Sequence, residues 1–220
     1  MHKKLVILAI ALILGLVLIL TGCGGDDATV SDDSATTAGS GEAIKVGANF
    51  ELSGPVATYG ADSLRGFKMA IDEVNAAGGV LDGRMIEIIE KDNKSDPAEA
   101  TAAAEVLMTQ NNVVLSVGPA TSGNFRAVIP VAMENQIPVI SSSATADDDI
   151  TVDTSGNVRE FVFRTCFTDS FQGSVMANFA ADRLDAKTAV IFADNASDYA
   201  KGLATNFRKQ FEEKGGTIVD

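Results

Sequence analysis

Two clusters of hydroxyl residues have the types and spacing to bind a small polar ligand. Thr121 and Ser122 follow the apolar run of residues 113–117, and the sequence Ser-Ser-Ser-Ala-Thr at 141–145 follows the apolar run of residues 137–140. Short apolar runs that are separated by one helical length indicate neighbouring parallel strands. Both clusters should therefore meet at the carboxyl edge of one sheet, where open α/β sheets bind ligands.

The chemistry of these clusters suits a zwitterion. Thr121 and Ser122, with Ala120 beside them, lie where a helix should begin, so their N–H groups and hydroxyls could hold an anion. The immediate loop has no Lys or Arg, which favours a carboxylate over a phosphate. Carbonyl oxygens near Ser143 and the Thr145 hydroxyl could accept hydrogen bonds from an ammonium group. The alternative is that these residues only cap helices and form turns.

The sequence contains little that could support catalysis. Its one histidine, His2, lies in a leader-like segment, so a Ser-His-Asp triad is impossible in the rest of the chain. We find no phosphate loop, dinucleotide-binding turn or hydrolase nucleophile motif. Cys166, without a histidine to activate it, is expected to be a buried, inert thiol. We predict a protein that is not an enzyme and needs no cofactor or metal; a hydrolase or transferase is the alternative.

The first residues resemble an export signal. Lys3 and Lys4 precede an apolar stretch that ends in Leu-Thr-Gly-Cys at Cys23, which looks like a bacterial lipobox. We therefore predict a lipoprotein signal peptide at 1–22, lipid on Cys23, a flexible tether at 23–43 and an extracytoplasmic location; an uncleaved membrane anchor is the alternative. Removal of the signal peptide also removes Lys3 and Lys4. Fifteen basic and 30 acidic residues remain, so the net charge is 15 − 30 = −15. Such acidity excludes nucleic acid as a natural partner.

Apolar periodicity predicts seven strands alternating with helices, which is typical of a doubly wound parallel α/β fold. The expected strands cover 44–50, 84–90, 113–117, 137–140, 158–167, 188–193 and 217–219. We assign 44–157 to a first lobe and 158–220 to the start of a second. Both lobes are expected to be incomplete, because Asp220 follows a strand that no helix covers. Clustered aspartates at 147–153 are expected to form a solvated loop, since their spacing fits no EF-hand.

Seven ordered motifs between residues 44 and 220 carry a family resemblance. They are Ser53-Gly-Pro-Val-Ala-Thr-Tyr-Gly60, Asn75-Ala-Ala-Gly-Gly-Val-Leu-Asp-Gly83, Ser95-Asp-Pro97, Gly118-Pro-Ala-Thr-Ser122, Ser141-Ser-Ser-Ala-Thr145, Asp169-Ser-Phe-Gln-Gly173 and Asp198-Tyr-Ala-Lys-Gly202. The chain resembles the type I periplasmic binding proteins of ABC importers, in the leucine/isoleucine/valine-binding branch. The resemblance implies capture of a hydrophobic amino acid between two lobes, with a membrane permease as partner. A sensory receptor domain or a binder of amides or urea would share the fold.

The resemblance also implies roles for individual residues. Ser122 would hold the ligand carboxylate, Ser143 would offer its carbonyl oxygen to the ammonium group, and Thr145 its hydroxyl. The ten residues implied at the ligand are Ala120, Thr121, Ser122, Ser143, Ala144, Thr145, Tyr59, Tyr199, Asp169 and Phe171. A disulfide that some relatives carry between the positions of Ser95 and Thr121 is absent here. In the family, the chain continues past Asp220 and supplies the acidic partner of the ammonium group.

Overall fold

Five parallel strands form the main sheet of the computed structural model, which describes residues 41–219. The predicted leader, Cys23 and most of the tether lie outside these residues. The strands are β1 Ile44–Phe50, β2 Ile86–Asp92, β3 Leu115–Val117, β4 Val139–Ser141 and β5 Val162–Arg164. Their order is β2-β1-β3-β4-β5. This order confirms a doubly wound α/β sheet and places β3 beside β4, as the two apolar runs predict.

Five helices connect the strands. They are α1 Ala57–Ala76, α2 Pro97–Glu105, α3 Ser122–Asn135, α4 Asp169–Asn178 and α5 Asp198–Glu213, and single π-helical turns extend α2 over Val106–Gln110 and α4 over Phe179–Arg183. Asp96 caps α2, because its carboxylate accepts hydrogen bonds from the amides of Ala98 (2.8 Å) and Glu99 (3.0 Å). Within residues 41–219, none of the helices combines the length and hydropathy needed to cross a bilayer.

Apolar side chains pack on both faces of the main sheet. Neighbouring residues of a strand point to opposite faces, and Ile88 and Ile89 of β2 accordingly contact different clusters. Ile88 packs with Phe50 and Leu64 under α1, whereas Ile89 packs in the larger cluster with α2 and α3. The buried members of that larger cluster include Ala100, Ala104, Leu107, Phe125, Val128, Ile129, Ala132, Val139, Ile150 and Val162. Helices on both faces explain why β1 is almost wholly buried.

The strand predicted at 158–167 belongs to the first sheet. It is reduced to Val162–Arg164 and pairs in parallel with β4, so the first sheet continues beyond residue 157, where the sequence analysis begins a second lobe. A separate pair of parallel strands, β6 Thr188–Ala189 and β7 Thr217–Ile218, forms the second sheet. Helices α4 and α5 pack tightly: a Cβ at Gly173 would lie 2.7 Å from Asn206 Cβ.

The acidic loop at 147–153 is not simply solvated. Asp148 pairs with Arg126 (2.9 Å), Asp149 pairs with Arg159, and Asp153 accepts hydrogen bonds from the amides of residues 155 and 157. Asp147 accepts hydrogen bonds from Ser170 in the first turn of α4. Asp147 and Asp148 thus join the segment that leads from β4 to β5 to α4 and α3, whereas Asp149 and Asp153 bond within the segment.

Candidate functional site

A cleft of about 850 Å³ opens at the carboxyl ends of β3 and β4. Most of the predicted ligand residues line it, namely Tyr59, Ala120, Thr121, Ser122, Ser143, Thr145 and Tyr199. The strands position these residues because parallel neighbours end at the same edge of the sheet. The two hydroxyl clusters therefore face one common space, which the sequence analysis requires of a ligand site.

The turn after β3 needs a glycine. Gly118 has φ +87° and lies so close to Asn49 that a Cβ would overlap the Asn49 carbonyl oxygen. The next peptide bond, Gly118-Pro119, is cis. The chain then enters α3 at Ser122, which is buried at 4% exposure. This geometry directs the first turn of α3 at the cleft.

Several hydroxyls fasten the two turns to each other. Ser143 Oγ donates to the Ala120 carbonyl oxygen (2.8 Å), and Ser141 Oγ donates to that of Pro119 (2.7 Å). Ser122 Oγ accepts a hydrogen bond from the Ala146 amide (3.2 Å). Some of these hydroxyls therefore have a structural role, in agreement with the alternative that they form turns. Their hydrogen bonds fix the two turns before any ligand enters.

Thr145 differs from these hydroxyls. Its Oγ1 atom is buried and makes no hydrogen bond of standard geometry within residues 41–219, although it lies close enough to the Asp169 carboxylate to oppose the rise that burial causes in the pKa of that group. A buried hydroxyl without a partner is costly, and such groups are uncommon in folded proteins. The amides of Ser122 and Gly123 also lack intrahelical acceptors, because they lie in the first turn of α3. The cleft therefore offers an unpaired hydroxyl and two amide donors to a ligand.

Sequence reasoning missed Glu51, which lies directly after β1. Its side chain is fully buried, and its carboxylate accepts hydrogen bonds from the amides of Ala120 (3.0 Å) and Thr121 (3.1 Å). It also accepts from Thr121 Oγ1 (2.7 Å) and Asn124 Nδ2 (2.9 Å). Two of the amides and the hydroxyl that the sequence analysis assigns to a ligand anion are thus occupied. The signal that could have found Glu51 is its place at a strand end, on the edge that holds both hydroxyl clusters.

The two tyrosines lie on opposite sides of the cleft. Tyr59 is in the first turn of α1, which begins at Ala57, and it is 53% exposed. Tyr199 is in the first turn of α5, half-buried, with its hydroxyl 3.1 Å from Gln172 Oε1. Ser53, in the loop before α1, donates to the Asp92 carboxylate (2.7 Å), which holds that loop in place.

Three predicted residues do not line the cleft. Ala144 is fully buried, and Phe171 is exposed with its ring 6.2 Å from that of Phe167. Asp169 is buried between α4 and α5, where it packs so closely on Gly202 that a Cβ there would overlap its carboxylate. Burial raises the pKa of Asp169, the nearby Thr145 hydroxyl opposes this rise, and repulsion from Asp147 adds to it. The structure therefore gives Asp169 a packing position between two helices.

Further lining residues were not expected from the sequence. They are Cys166 and Phe167 after β5, Gln172 on α4, and Asp198 at the start of α5. Cys166 was expected to be buried, but it is only half-buried, in the wall of the cleft. Partial burial raises the pKa of its thiol, and the positive charge of Arg164 opposes this rise. Asp198 pairs with Arg126 of α3 (3.0 Å) and so joins the two sides of the cleft.

Comparisons with known proteins give a consistent result. The model of the family described as "Periplasmic binding protein" matches residues 43–220. A leucine-, isoleucine-, valine-, threonine- and alanine-binding protein of Pseudomonas aeruginosa is 31% identical over 174 residues, which cover 79% of this chain and 44% of that protein. The chain thus spans about half the length of the relatives that it matches.

Solved structures agree with this comparison. The branched-chain amino acid transporter substrate-binding protein LivJ from Streptococcus pneumoniae, in complex with isoleucine, is 46% identical and superimposes with a TM-score of 0.73, covering 80% of this chain and 48% of that one. An ABC transporter solute-binding protein from R. palustris, in complex with benzoate, is 28% identical with a TM-score of 0.68 and the same coverage.

Proposed function

The chain belongs to the periplasmic binding protein family, and on that premise we propose that it captures a branched-chain or other hydrophobic amino acid as the solute-binding component of an ABC importer. The observation that carries the proposal is the shared cleft of the turns after β3 and β4, with a tyrosine on each side. The relatives named for leucine, isoleucine and valine support the choice of ligand.

The chemistry of the cleft matches the head of an amino acid. The hydroxyl of Ser122 and the amides of Ser122 and Gly123, at the positive end of α3, would receive the carboxylate. The carbonyl oxygen of Ser143 and the free hydroxyl of Thr145 would receive the ammonium group. Tyr59 and Tyr199 would close over the ligand. No step in this process forms or breaks a covalent bond.

Binding would act through the two sides of the cleft. A ligand that contacts both sides stabilises only the closed arrangement, so capture becomes a change of shape that a membrane permease could recognise. We propose that Cys23 carries the lipid that keeps the protein at the outer face of the membrane. Replacing Cys23 with alanine should then release the full-length protein from the membrane fraction; retention in that fraction would contradict the anchor.

Calorimetric titration of the full-length protein with leucine, isoleucine and valine tests the proposed function. We expect one molecule bound per protein. Ser122→Ala removes the hydroxyl, which accepts from the Ala146 amide and can still donate its own proton to the ligand carboxylate. The substitution should weaken binding by about tenfold or more, because a hydrogen bond to a charged group contributes roughly 1.5–3 kcal/mol. Ser155→Ala, in an exposed loop outside the cleft lining, is the matched control and should leave affinity unchanged. Equal affinity in Ser122→Ala and the unsubstituted protein would reject this site.

A further inference from the structure

The most unusual group near the cleft is the buried carboxylate of Glu51. It lies behind the turn that begins α3, and its two oxygens receive four hydrogen bonds, from Ala120, Thr121 and Asn124. All four partners are N–H or O–H donors, which suits an ionised carboxylate because that group only accepts. The Glu51 side chain, which is fully buried, therefore holds the turn through its bonds to Ala120, Thr121 and Asn124.

This arrangement changes what a ligand anion can use. The Ala120 and Thr121 amides are occupied, so a ligand carboxylate is left with Ser122 and Gly123. It must also enter a cleft in which three lining residues, Ala120, Thr121 and Asn124, are hydrogen-bonded to a buried negative charge. Coulomb repulsion between two carboxylates is offset when the ligand carries its own ammonium group. The cleft should thus accept a zwitterion more readily than a simple carboxylate.

We propose that Glu51 is a positioning and selectivity residue: it holds the turn at 120–124 in place, and its charge makes the cleft prefer amino acids over carboxylic acids of the same shape. The inference rests on the proposed function and names the ligand class of the same site. A protein of the same fold holds benzoate, a carboxylate without an ammonium group, so the fold by itself does not fix this preference.

The test compares two ligands that differ only in the ammonium group, leucine and 4-methylpentanoate. Glu51→Gln keeps the shape of the side chain but removes the charge. We expect the ratio of the two affinities, leucine over 4-methylpentanoate, to fall about fivefold, as for unit charges roughly 10 Å apart at an effective dielectric constant of about 30. Glu51→Asp, which keeps the charge, should preserve the ratio even where it weakens both ligands.

A stability control separates selectivity from general damage. Asn49 is buried outside the cleft lining, and its Nδ2 donates to the Ala100 carbonyl oxygen (2.9 Å). Asn49→Ala should lower the melting temperature but leave the affinity ratio of the full-length protein unchanged. If Glu51→Gln leaves the affinity ratio unchanged, the inference about Glu51 is wrong. The proposed function still stands in that case, provided that the unsubstituted protein binds leucine. If the unsubstituted protein binds no amino acid, both fail.

A second measurement needs no substitution and applies even if Glu51→Gln does not fold. The unsubstituted full-length protein is titrated with 3-methylbutylamine, which is leucine without its carboxylate, and with 4-methylpentanoate. A negative charge behind the cleft predicts that the amine binds more tightly than the acid. Tighter binding of the acid would overturn the inference.

Discussion

Replacing Thr145 with valine should change stability and binding in opposite directions. Thr145 is 6% exposed, and its Oγ1 has no hydrogen-bond partner within residues 41–219. Such an unpaired buried hydroxyl costs about 1–3 kcal/mol, whereas a methyl group of similar shape needs no partner. Thr145→Val should therefore raise the free energy of unfolding of the ligand-free protein by about 1 kcal/mol, which raises the melting temperature by about 2–4 °C.

The same substitution should impair ligand capture. The hydroxyl would bond to the charged head of the ligand, and a hydrogen bond to a charged group contributes about 1.5–3 kcal/mol, so affinity should fall by roughly tenfold to a hundredfold. Scanning calorimetry of the ligand-free protein measures the first effect, and titration calorimetry with isoleucine measures the second. Both assays use the full-length protein.

Thr101→Val is the matched control. The Thr101 hydroxyl lies 3.0 Å from the carbonyl oxygens of Pro97 and of Ala127, so it joins α2 to α3; Thr101 itself does not line the cleft, although Pro97 does. Its loss should lower the melting temperature and leave isoleucine affinity unchanged. A lower melting temperature for Thr145→Val would show that its hydroxyl is paired in solution, with the Asp169 carboxylate as the nearest partner, and would refute the reasoning.

Three further predictions concern the packing around the cleft. Gly202→Ala would force a methyl group into the Asp169 carboxylate and should destabilise the protein by about 1–3 kcal/mol, whereas Gly66→Ala, in an open helical position, should be neutral or stabilising; equal unfolding midpoints would contradict this. Because burial raises the pKa of Asp169, the stability this group contributes is present below its ordinary pKa and lost as pH rises through the folded value. Asp169→Asn should then gain stability relative to the unsubstituted protein as pH rises from the ordinary pKa of an aspartate through the folded value, and a stability difference in urea unfolding that is constant with pH would refute it. Arg126→Gln removes the partly exposed ion pairs with Asp198 and Asp148 and should weaken isoleucine binding by at most about fivefold, less at high salt; a salt-independent loss would exclude the ion pairs as the cause.

The order of strands and helices could be predicted from apolar periodicity, but their lengths could not. β3 and β4 have only three residues each, although the apolar runs are longer, because a strand extends only where a neighbour pairs with it. The same limit explains why the sheet to which β5 belongs could not be predicted. Its sequence shows an apolar segment after an acidic loop, which is typical of a new lobe, but its partner is β4 of the first sheet. Pairing is a long-range choice that no local pattern contains.

The position of the candidate site could be predicted from the sequence, but the hydrogen-bond partners of its residues could be predicted only in part. Hydroxyls at two strand ends indicate a shared edge, and the structure places both clusters there. Which hydroxyls stay free depends on residues far away in sequence. Thr121 is paired with Glu51, whereas Thr145 has no partner within the described range. Asp169 and Gly202 belong to motifs of the family resemblance, and in this structure they serve the close contact of α4 and α5.

A crystal structure of the full-length protein with isoleucine tests the central claim most directly. We predict the ligand carboxylate within hydrogen-bond distance of the Ser122 amide, the ammonium group at the Ser143 carbonyl oxygen, and Thr145 Oγ1 in contact with the same head group. Isoleucine bound away from these two turns, or a cleft between them that stays empty at saturating ligand, would contradict the account.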